Sequence, residues 1–133
     1  MMGKFVLQKK SFNFALRCIN LYKYLQSNSK EFVISKQLLR SGTSIGAQIA
    51  EGEYAESKLD FIHKYSIALK ECNESIYWMK LLFHAGYIKI NEYESLKTDA
   101  IELLKMITSS INTAKSNIKK EKANKLMTDT NDT

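Results

Sequence analysis

Proline is absent from all 133 residues. Nothing therefore locks a φ angle or removes a backbone donor, and long uninterrupted helices are permitted along the whole chain. Glycine is scarce, with five residues, and three of them, Gly42, Gly46 and Gly52, crowd into one stretch. Cysteine is limited to Cys18 and Cys72. Two distant thiols exclude a disulfide-stapled scaffold and any zinc-type spacing, and both fall on apolar helical stripes, so buried free thiols are expected rather than a disulfide. No run approaches the ~20 apolar residues that span a bilayer, and the N-terminal MMGKFVLQKK lacks a signal-peptide core, so no membrane partner and a cytoplasmic location are expected.

Acid is missing from residues 1–30, which hold Lys4, Lys9, Lys10, Arg17, Lys23 and Lys30. The remaining residues nearly balance, so the net charge of +6 comes from this first segment. A second cluster, Lys115, Lys119, Lys120, Lys122 and Lys125, contains only Glu121 as counter-charge. Basic surfaces of this kind suit a polyanion, because neutralised phosphates release condensed counterions; the plainer reading is that lysines keep a protein soluble.

What is present in abundance is helical periodicity. In residues 37–52, QLLRSGTSIGAQIAEG, Leu38, Gly42, Ile45, Ile49 and Gly52 step by four and three, the seam of a helix in a bundle. Gly42, Gly46 and Ala50 form a stripe without side-chain bulk, which predicts close packing against a neighbouring helix. This stretch, with Ala55-Glu56-Ser57-Lys58, Asp60-Phe61-Ile62-His63-Lys64, Ala68-Leu69-Lys70-Glu71-Cys72-Asn73-Glu74, Tyr77-Trp78-Met79-Lys80-Leu81-Leu82 and Gly86-Tyr87-Ile88, resembles the signature of the bacterial 23S rRNA intervening-sequence proteins. The likeness covers roughly residues 10 to 118. Gln48 stands where that family has Asn. The resemblance implies a four-helix bundle and a ring-like homo-oligomer, usually a pentamer. It extends to the accessory variability protein of diversity-generating retroelements, a basic ring that binds RNA or DNA and a reverse transcriptase.

Read in order, residues 1–10 form a basic arm. Ser11 is expected to cap a first helix over 12–28, with Phe14, Cys18, Leu21 and Leu25 as its seam. Phe32-Val33-Ile34 leads into a second helix, 36–54, capped by Ser35. Ser57 with Asp60 forms a capping box at the start of a third, 58–85, which Gly86 ends. Its broad apolar face predicts contact with two neighbours. Asn91 caps a fourth helix over 92–119, and residues 121–133 form a polar tail expected to be disordered. Short connections predict an all-α, antiparallel, up-down-up-down four-helix bundle; a three-helix bundle with the first helix loosely docked is the alternative.

Catalytic constellations do not assemble. Asp60-x-x-His63 is half of a di-metal motif, and His84 lies ~30 Å further along the same helix, so no metal and no cofactor are expected. No histidine is placed to activate Ser44, and Gly42-x-x-x-Gly46 lacks the lysine of a phosphate-binding loop, so an enzyme is not expected. Arg40 is expected to pair across helices with Glu71 or Glu74, fixing register more than adding stability. Tyr77 and Trp78 adjoin, so one points off the seam and suits an oligomer contact made by helices two and three. The function expected is non-catalytic nucleic-acid association, with Lys4, Lys9, Lys10, Arg17 and Lys23 and Lys115, Lys119, Lys120 and Lys122 contacting phosphate. The rival is a scaffolding oligomer that binds another protein.

Overall fold

The computed structural model describes residues 2–131. Four helices account for most of them: α1 Met2–Asn28, α2 Ile34–Gly52, α3 Lys58–His84 and α4 Ile90–Asn131, with no strand among the described residues. Around the molecule α1 touches α2 and α4, and α3 touches α2 and α4. The core is built from the anticipated seams, among them Phe14, Leu25, Ile45, Ile49, Tyr65, Met79, Leu103 and Ile107. The second apolar stripe of α3 is half-buried, and its Phe83 stacks on Tyr93 of α4 with centroids 5.0 Å apart.

Contacts run in opposite senses along neighbours. Cys18 approaches Gly42 and Ser11 approaches Gly46. Ser41 meets Ser75 while Gly52 meets Tyr65. Cys72 meets Ala100 and Phe83 meets Tyr93; Lys10 meets Glu102 and Arg17 meets Asp99.

Three boundaries differ from the sequence reading. The expected arm is the first turns of α1, because Leu7, only 2% exposed, continues the seam of Phe14 one heptad earlier. Ser11 is consequently not a cap: it is buried inside the helix, its hydroxyl donating to the Gln8 carbonyl at 3.0 Å. Met1 lies outside the described residues. Ser35 is likewise inside α2, one residue past its start. The capping group is the Glu31 carboxylate, buried at 8% exposure, which accepts from the Val33, Ile34 and Ser35 amides at 3.1, 3.3 and 2.7 Å. Burial raises this carboxyl, but the three amides and the Ser35 hydroxyl outweigh it and leave its pKa below the ordinary value. Finally, α4 continues through the expected tail to Asn131; Asp132 and Thr133 lie outside the described residues. Asn91 falls within its first turn rather than before it.

Other ends follow local chemistry. Ser57 Oγ accepts from the Asp60 amide at 3.0 Å, and Asp60 reaches back to the Glu56 amide at 3.2 Å. Gly86, at φ +87°, takes the left-handed conformation that closes α3, with the Tyr87 amide donating to the Leu82 carbonyl at 2.9 Å.

Candidate nucleic-acid interface

The basic residues nominated on α1 are largely committed to acids of the same chain. Lys4 pairs with Glu53, Lys10 with Glu102 at 2.7 Å, and Arg17 with Asp99 at 2.7 Å. Lys9 and Lys23 are exposed and make no ion pair with a described acid. On α4, Lys115, Lys119, Lys120 and Lys122 are all exposed and likewise unpaired among the described residues, because the one acid between them, Glu121, is held by Lys58.

The two groups meet only at one end, where Lys4 lines a groove with Lys105, Ser109, Thr113 and Asn117 of α4. Leu21 and Tyr24 share a groove with Glu92, which sets Lys23 level with the start of α4. Lys115 lies 23 residues further along α4, ~35 Å at 1.5 Å per residue. The α4 lysines stand instead beside the opening turn of α3, where Ser57 and Leu59 line a groove with Ile118, Lys122 and Lys125.

The sequence reading missed part of this end. No acid occurs between Glu102 and Glu121. Across that acid-free segment Lys105, Thr108, Asn112, Ser116 and Lys120 line one groove along α4. Lysines, hydroxyls and side-chain amides are the groups that contact phosphate oxygens. The gap between Glu102 and Glu121 was the available signal, but it was hidden by counting lysines without mapping the intervening polar face.

The remaining nominated residues occupy distinct places. Gly42 and Gly46 lie against α1, whereas Ala50 is exposed. A step of four residues rotates ~40° off a helical interface, so two steps carry position 50 out of the contact. Gly52 instead faces the Tyr65 ring of α3, a neighbour the stripe did not anticipate. Arg40 donates to Glu71 at 3.2 Å and also meets Glu74; it is about half exposed, so the pair sits at the surface. The Arg40 hydrogen bond is the main cause lowering the Glu74 pKa. Trp78 is half-buried, its indole N–H donating to Glu74 at 3.2 Å, and Tyr77 packs edge-on to it and is exposed.

Both cysteines are free and buried, and burial pushes each thiol up to about 12, so neither supplies a thiolate nucleophile near neutral pH. Among the described residues no cluster of three His, Cys, Asp or Glu side chains is arranged to hold a metal ion, and no helix is long and apolar enough to cross a membrane.

Fold and surface together define an all-α four-helix protein with an acid-free stretch along α4. The chain belongs to the 23S rRNA-intervening sequence protein family, whose model matches residues 4–109. That span ends before Lys115. A solved structure from Bacteroides thetaiotaomicron, described as a protein of unknown function from the S23 ribosomal protein family, is 52% identical with a TM-score of 0.82, covering 83% of this chain and 98% of that one. No curated protein matches the chain.

Proposed function

We propose that this is a non-catalytic, cytoplasmic, nucleic-acid-associated protein that holds RNA or DNA by its phosphate backbone, without base-specific recognition. The observation that carries this reading is the uninterrupted absence of acid from residue 103 to residue 120 of α4, together with unpaired Lys115, Lys119, Lys120 and Lys122. The opposed sense of contacts between neighbouring helices supports an up-down-up-down bundle. Copies of the bundle assemble into a ring-like oligomer, with five members favoured.

A second reading, a scaffolding oligomer that recognises another protein, has one observation in its favour: Lys4, Lys10 and Arg17 are already neutralised by acids of the same chain. Gel-shift titration against structured RNA and duplex DNA at low salt separates the two. The first reading expects retention by both ligands, weakening steeply as salt rises and reduced by changing the four α4 lysines to Gln. Free migration of both ligands at low salt overturns it and leaves the scaffolding role.

A further inference from the structure

A groove at the other end of the bundle from Lys115 and Lys119 has no part in the backbone contact. It opens between the second half of α1, the turn that closes α3 and the first residues of α4. Its volume is about 590 Å³, within the ~300–1,000 Å³ of clefts that hold small ligands. Buried Leu21 and Ile88 form its floor. Tyr24 and Tyr87 stand at its rim, 58% and 38% exposed. Neither ring packs on another aromatic among the described residues. Asn20 and Asn91 complete the walls; both are exposed, and neither side-chain amide has a hydrogen-bond partner among the described residues.

The walls are fixed in advance. Arg17 ties this part of α1 to Asp99 of α4 at 2.7 Å. Beyond left-handed Gly86, the Tyr87 amide donates to the Leu82 carbonyl at 2.9 Å and holds the turn. The charges lining the groove nearly cancel: Asp99 neutralises Arg17, and Lys89 is offset by Glu92. A phosphate chain is therefore not what this groove selects. Exposed aromatic faces beside free side-chain amides suit a flat ring whose edge carries both hydrogen-bond donors and acceptors, which is the chemistry of a nucleobase. An aromatic side chain of another protein would use the two rings and leave both amides idle. In a duplex the faces and pairing edges of the bases are already occupied, so the base must be unpaired.

We propose that this groove takes an unpaired nucleobase of single-stranded RNA or DNA, stacked on Tyr24 and Tyr87 with its edge toward Asn20 and Asn91. The inference deepens the nucleic-acid reading given above and rests on it: the α4 lysines hold backbone, and this groove holds a base that has left its partner. Every base has a face to stack, so the contact tolerates sequence, and it depends on salt less than the lysine contacts do.

Fluorescence anisotropy of a short end-labelled single strand, in ribo and deoxyribo form, and of the same strand annealed to its complement tests this. The proteins are wild type, Tyr24→Ala, Tyr24→Phe and a variant with Lys115, Lys119, Lys120 and Lys122 changed to Gln, with circular dichroism as the control for folding. Tyr24 is exposed, so the fold survives its replacement. Tyr24→Ala is expected to weaken single-strand binding about fivefold or more and to leave duplex binding unchanged, while Tyr24→Phe keeps the ring and the affinity. The lysine variant is expected to weaken both. Photo-crosslinking of a strand carrying 5-iodouracil, mapped by mass spectrometry, is expected to mark Tyr24 or Tyr87. Single-strand affinity untouched by Tyr24→Ala, an equal loss for duplex, a loss confined to one of the two sugars, or crosslinks only at other residues overturns the inference alone. A wild type that holds neither duplex nor single strand overturns the nucleic-acid reading with it.

Discussion

A β-carbon added at Gly42 would clash with the Cys18 sulfur, whereas one added at Gly46 meets nothing nearer than the Ser11 hydroxyl oxygen at 3.4 Å. Helix propensity favours Ala over Gly by about 1 kcal/mol, and overpacking costs about 1–3 kcal/mol, so the space available decides the sign. Gly46→Ala is expected to be neutral or mildly stabilising in urea unfolding. Gly42→Ala is expected to destabilise, and Cys18→Ala placed beside it should return part of the loss; a coupling indistinguishable from zero in that double-mutant cycle would contradict the close approach. Glu31 makes the second residue-scale prediction. Its folded pKa is depressed, so the stability it contributes is full above the ordinary value of 4.5 and is lost as pH falls through the folded value. Glu31→Gln should cost about 1 kcal/mol near neutrality, from a lost cap and a lost charge at a helix N-terminus. The gap from wild type should narrow in acid melts. A gap that stays constant down through the acid range would mean that the charge contributes nothing. Glu31 lies before the apolar run, and Ser35, the more conventional cap, was named in its place.

At the scale of whole helices, the middles were legible, and so were both ends of α3, where Ser57 and Gly86 stand as expected; the other ends were less so. Apolar positions at four-three spacing are dictated by burial, and Leu38, Ile45, Ile49, Cys72 and Met79 fall on the core as expected. Ends depend on weaker choices between competing polar groups, and α1 and α4 outran their expected limits. The α1 error came from reading Ser11 as a boundary when it is a small polar residue inside the seam. Two truncation effects should differ accordingly. Leu7→Ala is expected to cost roughly 2–5 kcal/mol, because Leu7 belongs to the core. Removing residues 128–133 should cost less than about 0.5 kcal/mol, because the described side chains there are exposed. Equal losses in urea midpoint would show that α1 does not begin where the structure places it. The Arg40 pair also belongs to this scale, since it ties α2 to α3. Its partners were readable from their spacing, but its exposure was not. At about half exposure Arg40→Ala should cost less than about 1 kcal/mol, and a double-mutant cycle with Glu74→Gln should give a coupling that fades in high salt.

For the molecule as a whole, composition located the excess charge on residues 1–30, yet folding moves the free charge elsewhere. Charge counting along the sequence cannot see that Glu53, just past α2, and Glu102 and Asp99 of α4 meet Lys4, Lys10 and Arg17. Of the two basic clusters, the one at the far end of α4, ~35 Å from Lys23, stays unpaired as a group. Binding to duplex DNA should therefore depend unevenly on the two groups. Each phosphate contact contributes about 0.9 to the slope of log K against log salt. Changing Lys115, Lys119, Lys120 and Lys122 to Gln should flatten that slope by as much as ~3.6, whereas Lys23→Gln should change it by no more than ~0.9. Neither set should shift the thermal unfolding midpoint appreciably, because all five side chains are exposed. The comparison distinguishes a localised site from diffuse attraction to a cation of +6. If the slope falls by the same amount per lysine wherever the lysine lies, the net charge alone holds the polyanion, and the acid-free face of α4 has no special part in it.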